Sequence, residues 1–278
     1  MGGKSTGKAN PGRANGGAGP LTLAIDIGGT GLKASVLDPN GGMIADEVRI
    51  DTPYPCPPKV MFKSLEKLVA SLPHYDRISV GFPGVVGKGN VITAPHFGNR
   101  VWRDFPLAKE LSERLGKPVR LLNDAEVQGF GVIVGRGLEV VLTLGTGAGT
   151  AVFREGELMP HLELAQHPIG KWGTYNDYVG DKALNKKGKR KWNRRVEKTI
   201  GILHSLLHFD VLYIGGGNAR KIEIVPDNVI IVPNEAGITG GVKLWSAPRG
   251  QGAFAHEGPP RSEGSSVPPA KVSPTPAP

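Results

Sequence analysis

The sequence predicts an α/β protein built as two similar lobes with a cleft between them. Two observations carry this. Two glycine-threonine turns, Asp26-Ile27-Gly28-Gly29-Thr30-Gly31 and Leu144-Gly145-Thr146-Gly147-Ala148-Gly149-Thr150, lie about 115 residues apart, and each joins one apolar β-type run to another. Around each turn the same succession of strands followed by helices is readable, so the pattern restarts near residue 125.

The elements follow in order. Leu21–Asp26, Leu32–Asp38 and Met43–Thr52 read as strands, with Asp38-Pro39-Asn40-Gly41-Gly42 turning the second into the third. Pro57 and Pro58 open a helix to about Leu72, whose apolar face is Val60, Met61, Leu65, Leu68 and Val69. Arg77–Val80 is a short buried strand ending in Gly81-Phe82-Pro83-Gly84. A helix over 106–116 stops at Gly116 before Pro118, and strand 119–122 runs straight into Asn123-Asp124. The second round has a helix over 125–134, strands 139–144 and 149–154, and an irregular polar stretch over 155–177. A helix over 193–208 then carries Val196, Ile200, Leu203 and Leu207 at helical spacing. Val211–Ile214 is a strand ending in Gly215-Gly216-Gly217-Asn218, followed by Ile230–Val232 and a last helix over Gly237–Trp245.

Composition bounds the foldable part. Residues 1–20 are low in complexity, and 247–278 carry eight prolines with Phe254 the one large aromatic. Neither tail buries enough apolar surface to offset chain entropy, so both are expected to be disordered. An N-terminal lobe over 21–124 and a C-terminal lobe over 125–246 remain, with the last helix expected to pack back on the first lobe. Cys56 is the single cysteine, which excludes an intramolecular disulfide and a cysteine-rich zinc site. No apolar run reaches a membrane span, and no hydrophobic signal core is seen, so a cytoplasmic protein without membrane contact is expected. Gly3-Lys4-Ser5 imitates the end of a P-loop but lacks the glycine and strand that motif needs.

The formal net charge is +9, and between Lys182 and Lys198 nine basic residues face one acid, Glu197. Lys186, Lys187, Lys189, Arg190, Lys191, Arg194 and Arg195 form its centre. Such a cluster is either a solvated helix face or a channel that attracts a polyanion.

Glycine lets a backbone turn tightly and bring its N–H groups close to a bulky anion, and threonine hydroxyls add donors. Two such turns suggest a phosphate gripped from both sides, and hence phosphoryl transfer. Asp124 lies just past a strand's carboxyl end, where α/β proteins place ligands. A carboxylate there is suited to take the proton of a hydroxyl nucleophile. The alternative is that Asn123-Asp124 simply cap the following helix.

Asp26-Ile27-Gly28-Gly29-Thr30, Asn123-Asp124, Leu144-Gly145-Thr146-Gly147 and Ile214-Gly215-Gly216-Gly217, in that order, resemble the ROK family of sugar kinases and repressors. Within it, the chain is most similar to the polyphosphate-dependent glucokinase branch. The resemblance covers about 21–246 and implies the actin/hexokinase-type ATPase (ribonuclease H-like) fold. It implies Asp124 as catalytic base and Asn123 as a sugar ligand, with Asp26 orienting Mg²⁺ or its water shell. Phosphate would be held by Gly28, Gly29, Thr30 and Lys33 from one lobe, and by Thr146 and Gly147 from the other. Gly215 and Gly216 would lie against a nucleotide or a phosphate chain. The implied reaction moves a phosphoryl group from inorganic polyphosphate, ATP or both to the 6-hydroxyl of glucose or a related hexose. A homodimer that binds no nucleic acid is implied as well.

The sugar side departs from the family pattern. Relatives carry Glu-Leu-Gly-His or Glu-Leu-Ala-His, whereas Glu163-Leu164-Ala165-Gln166-His167 keeps the Glu, puts Gln166 at the histidine's place and has His167 one residue late. Asn176 takes the place of a further acidic sugar ligand, and Asn99 in the loop Ala94–Trp102 is a candidate hydroxyl ligand. The family's cysteine-rich zinc motif is missing, as it is in the polyphosphate-dependent branch, and the basic segment 182–198 stands in its place as a candidate polyphosphate channel. Two further classes stay open: a sugar-responsive repressor, for which no helix-turn-helix precedes residue 21, and a catalytically weak or inactive binder of sugar or polyphosphate, motivated by Gln166 and Asn176.

Overall fold

The computed structural model describes residues 19–246 except 224, 234 and 235. The two tails therefore lie outside the described residues, apart from positions 19 and 20. The first sheet has the strand order β3-β2-β1-β4-β7, formed by β1 (Thr22–Ile27), β2 (Gly31–Leu37), β3 (Val48–Asp51), β4 (Arg77–Phe82) and β7 (Val119–Asn123). The second has the order β10-β9-β8-β11-β12, from β8 (Leu138–Leu144), β9 (Ala148–Arg154), β10 (Glu157–Leu158), β11 (Val211–Gly215) and β12 (Val229–Ile231). In both sheets the opening three strands pair antiparallel and the last two join parallel to the first. The chain has therefore built one topology twice, and the two glycine turns occupy its equivalent β1–β2 and β8–β9 corners. A small hairpin of β5 (Val86–Gly87) and β6 (Asn90–Val91) is inserted after β4.

Helix α1 (Pro58–Val69) starts on a proline and buries Met61, Phe62, Leu65, Leu68 and Val69 on the first sheet's core. After the one-turn α2 (Asn99–Trp102), α3 (Leu107–Leu115) buries Leu107, Ala108 and Leu111 and ends on Gly116 at φ +66. That left-handed cap is the reason the sequence stops the helix there. Helices α5 (Tyr175–Val179), α6 (Asp181–Lys187) and α7 (Lys189–Leu207) cover the second sheet. Trp192 of α7 is fully buried among them and donates its indole N–H to Val179 O at 2.7 Å.

Helix α4 (Asp124–Val132) lies between the sheets and is buried all round from Ala125 to Phe130. Its Val127 and Phe130 share an apolar cluster with Leu122 of the first sheet and Val141, Phe153 and Tyr213 of the second. The terminal segment, α8 (Ala236–Thr239) and a 3₁₀ turn over Gly240–Trp245, returns to the first sheet. There Ser79 Oγ donates to Gly241 O at 2.6 Å, and Trp245 packs between the Arg77 and Arg120 guanidiniums while donating to Ser79 Oγ.

Three expectations change. The third strand is only Val48–Asp51, because residues 43–47 keep isolated bonds (Ile44 N to Val36 O, Ser35 Oγ to Ala45 O) in place of a ladder. The polar stretch 155–177 contains β10 and the start of α5, and the basic run forms two helices, α6 and α7, broken at Gly188 with φ +74.

Candidate active site

A cleft of about 500 Å³ separates the sheets, lined from the first lobe by the β1–β2 turn and from the second by the β8–β9 turn. The two turns face each other closely: a Cβ on Gly29 would stand 3.5 Å from Thr146 Oγ1. Gly28 N donates to Gly31 O at 2.9 Å and Gly145 N to Gly147 O at 3.0 Å, so each hairpin closes on itself. Side chains brace both. Thr52 Oγ1 and the Tyr54 hydroxyl donate to the carbonyls of Gly28 and Gly29. Asn176 Oδ1 accepts from Ala148 N at 2.8 Å, and its side chain fills the space a Cβ on Gly147 would need.

Asp124 lies on the cleft floor at the start of α4. Its neighbour Asn123 is the helix cap: Oδ1 accepts from Ala125 N, Nδ2 donates to Phe82 O and Gly84 O, and Glu126 closes the capping box on Asn123 N. Both amide hydrogens of Asn123 are thus spent on the protein, although Asn123 and Asp124 both line the cleft. Burial, then the charges of Asp26, Glu126 and Glu163, push the Asp124 carboxyl up to about 7 against the pull of the Ala125 N–H. Burial also raises Asp26 to about 6, with Lys33 opposing the shift.

The segment after β10 is organised by His161. Its Nδ1 lies 2.7 Å from Glu126 Oε1 and its Nε2 3.3 Å from Glu163 Oε2. Burial alone would lower its proton affinity, but the bonds and charges of the two carboxylates raise it to about 9.

The cleft lining brings together Asp26, Gly28, Gly29, Thr30, Lys33, Asn123, Asp124, Thr146, Gly147, Glu163, Gln166, Asn176 and Gly216 from the sequence-derived set. Gly216 takes φ +83, and a Cβ there would meet the Leu144 backbone at 2.5 Å, so glycine is required. Other expected residues are elsewhere. Asn99 is exposed outside the lining, its Oδ1 accepting from Ala94 N to hold its own loop. Gly215 abuts the Gln128 side chain, and Gln128 lines the cleft instead. Asn176, which does line the cleft, directs its carbonyl oxygen to the backbone of the second glycine turn. His167 stands beside Tyr175, away from the lining.

Lys186, Lys187, Lys189, Arg190, Lys191, Arg194 and Arg195 do not line the cleft either. Lys189 pairs with Glu223, and Arg195 stacks on Trp172 and Tyr178 while donating to Tyr178 O. The basic groups that do line it are Lys33, Arg49, Arg220 and Lys221. The last two belong to a 3₁₀ turn over Ala219–Lys221, where Lys221 Nζ donates to Asn218 Oδ1 and Asn218 Nδ2 to Asp181 Oδ1. Single basic residues in unrelated segments form no motif, so the sequence points to Lys33, beside the first turn, and not to Arg49, Arg220 and Lys221. His161-x-Glu163 did leave a signal, because alternate residues of an extended segment share a face.

A family model described as the ROK family matches residues 22–161. The polyphosphate glucokinase of Mycobacterium tuberculosis (strain CDC 1551 / Oshkosh) is 30% identical over 235 residues, 78% of this chain and 88% of that protein. The chain belongs to the ROK family. Among solved structures, this ROK protein is similar to the inorganic polyphosphate/ATP-glucomannokinase of Arthrobacter sp. strain KM, with TM-score 0.73 and 26% identity over 82% of this chain and 99% of that one. It shares the fold of a ROK family glucokinase from Streptomyces griseus solved with glucose and AMPPNP, with TM-score 0.70 and 19% identity over 81% and 98% of the two chains. The fold is accordingly the two-lobed actin/hexokinase-type α/β fold with a central cleft. Among the described residues no helix is long and apolar enough to cross a membrane.

Proposed function

We propose that this chain is a sugar kinase that transfers a phosphoryl group from inorganic polyphosphate or ATP to the 6-hydroxyl of glucose or a related hexose. The observation that carries this is Asp124: a carboxyl of raised proton affinity on the floor of a cleft whose two walls are glycine-threonine turns. A sugar hydroxyl held between Asp124 and Glu163 loses its proton to Asp124 as the new P–O bond forms. The N–H groups of the two turns, with Thr30, Thr146 and Lys33, face the oxygens of the phosphoryl group in transit. Approach of the lobes excludes water that would otherwise take the sugar's place. The names of the M. tuberculosis and Arthrobacter relatives support both the sugar and the donor.

Among the described residues no cluster of three or more His, Cys, Asp or Glu forms a metal cage. Two carboxylates of raised proton affinity, Asp26 and Asp124, nevertheless share the cleft floor with only partial compensation by Lys33. That donor set suits a Mg²⁺ that arrives with the phosphates and keeps most of its water. Asp26 would hold it, and it would supply neutralising charge beside the transferred group.

The donor's distal phosphates fit the Arg220–Lys221 end of the cleft. The amino end of α7 adjoins that turn, for Asn193 Nδ2 donates to Lys221 O and Asn193 Oδ1 accepts from Glu223 N. A polyphosphate longer than the cleft would therefore run onto the exposed cations of α7, whereas ATP would not reach them. Reversing Arg190, Arg194 and Lys191 to Glu is expected to raise the KM for long-chain polyphosphate about tenfold and leave that for ATP within about twofold. Equal effects on both donors would remove the channel role.

Glucose phosphorylation followed against pH tests the base. The base works deprotonated, so kcat/KM is expected to climb as pH rises through about 7, the value at which Asp124 ionises. A rate that stays flat from pH 5.5 to 8 would exclude Asp124 from the proton transfer.

A further inference from the structure

The polar segment after β10 holds a histidine that no motif accounts for. His161 has a carboxylate at each ring nitrogen: Glu126, on the helix that begins with Asp124, and Glu163, on the second lobe's loop. A neutral imidazole has one N–H and can donate to only one of them, so two acceptors at the two nitrogens call for the imidazolium. Glu126 is itself 3% exposed, with Oε1 on His161 and Oε2 on Asn123 N. Such a buried carboxylate needs a cationic partner, and His161 supplies it. The charged groups that face this ring are Glu126 from α4 and Glu163 from the loop, and the same two acids bear on Asp124.

We propose that His161 is the positioning residue of this cleft: shared as an imidazolium between Glu126 and Glu163, it fixes the Glu163 carboxylate toward the sugar and ties that loop to the helix carrying Asp124. The proposal rests on the kinase reading above. One consequence follows from the geometry. Without the ring, Glu163 loses its anchor and sugar binding weakens. The raised proton affinity of His161 agrees with its place between the two carboxylates.

The test uses the full chain, with His161→Gln, Glu163→Gln and the double variant, assayed for phosphoryl transfer to glucose between pH 5.5 and 9. His161→Gln is expected to raise the glucose KM about tenfold, with the donor KM changed less than about twofold. In the double variant the glucose KM is expected to rise no further than in Glu163→Gln, because both changes remove one contact. A glucose KM unmoved in His161→Gln, or fully additive effects, would overturn the proposal. NMR of the ¹⁵N-labelled imidazole in the unsubstituted protein reads the clamp without relying on turnover or on a variant's folding. Both nitrogens protonated at pH 7.5 is the expected result. A bare ring nitrogen at that pH overturns the clamp whatever the assay returns, and unsubstituted protein that phosphorylates neither glucose nor mannose overturns the kinase reading and the sugar role together.

Discussion

Asp124→Asn is expected to lower kcat for glucose phosphorylation by about 10³-fold while leaving the glucose KM within about threefold. The substitution keeps size and hydrogen bonding but cannot accept the hydroxyl proton. The fold should not suffer, because Ala125 N, which donates to Asp124 Oδ1 at 2.8 Å, also has the Asn123 cap as acceptor. Stability supplies an independent check. The carboxyl ionises near 3.8 when unfolded and near 7 when folded, so its ionisation opposes folding. That penalty is absent below about pH 3.8, grows between there and 7, and is complete above 7. The Asn variant should therefore melt a few degrees higher than the parent at pH 8, with the gain shrinking toward pH 4. Loss of activity together with a lower melting temperature at pH 8 would mean that the variant had damaged the fold and not removed a base.

Trp192→Ala is expected to cost about 3–5 kcal/mol of stability and to lower Tm by roughly 10 °C. The indole is fully buried in the apolar cluster beneath α5, α6 and α7, and its N–H satisfies Val179 O. Truncation leaves a cavity and an orphaned carbonyl together. Val179 ends the helix that carries Asn176, whose Oδ1 holds Ala148 N in the second glycine turn. The damage should therefore reach the donor site, with a raised donor KM well below the new Tm. Trp192→Phe, which keeps most of the packing and loses the hydrogen bond, should cost about 1 kcal/mol. Thermal unfolding of the two variants checks the pair, and a loss under 1 kcal/mol for the alanine change would contradict the packing described here.

Much of this architecture is legible before any coordinates, for physical reasons. A hairpin that must bring N–H groups against an anion has few side-chain options, so Gly28-Gly29-Thr30 and Gly145-Thr146-Gly147 stand out as words in the chain. Asn123-Asp124 is legible because a strand's apolar run ends abruptly on two polar residues. Cleft residues recruited singly are not. Arg49, Arg220 and Lys221 enter the lining from a strand and a 3₁₀ turn with no shared spacing. His161 leaves only its alternation with Glu163, and its partner Glu126 reads as a helix-capping residue, which it also is. Asn99 shows the converse: a short amide in a loop reads as a ligand, yet here it holds its own loop from outside the cleft, whereas Asn176 lines the cleft and braces backbone as well. The basic run misleads most, because charge density is visible in sequence while the direction a helix faces depends on the residues it buries. Trp192, Val196, Ile200 and Leu203 turn inward, which sends the lysines and arginines of α7 to the surface beside the cleft and not into it.

The central claim is phosphoryl transfer to a sugar with Asp124 as base. It is tested most directly by ³¹P NMR of purified full-length protein incubated with Mg²⁺, glucose and either polyphosphate or ATP, alongside Asp124→Asn. A hexose 6-phosphate signal that grows with at least one donor and is absent from the Asn variant is the predicted result. Sugar phosphate formed equally fast by the Asn variant, or inorganic phosphate alone from both donors, would contradict it.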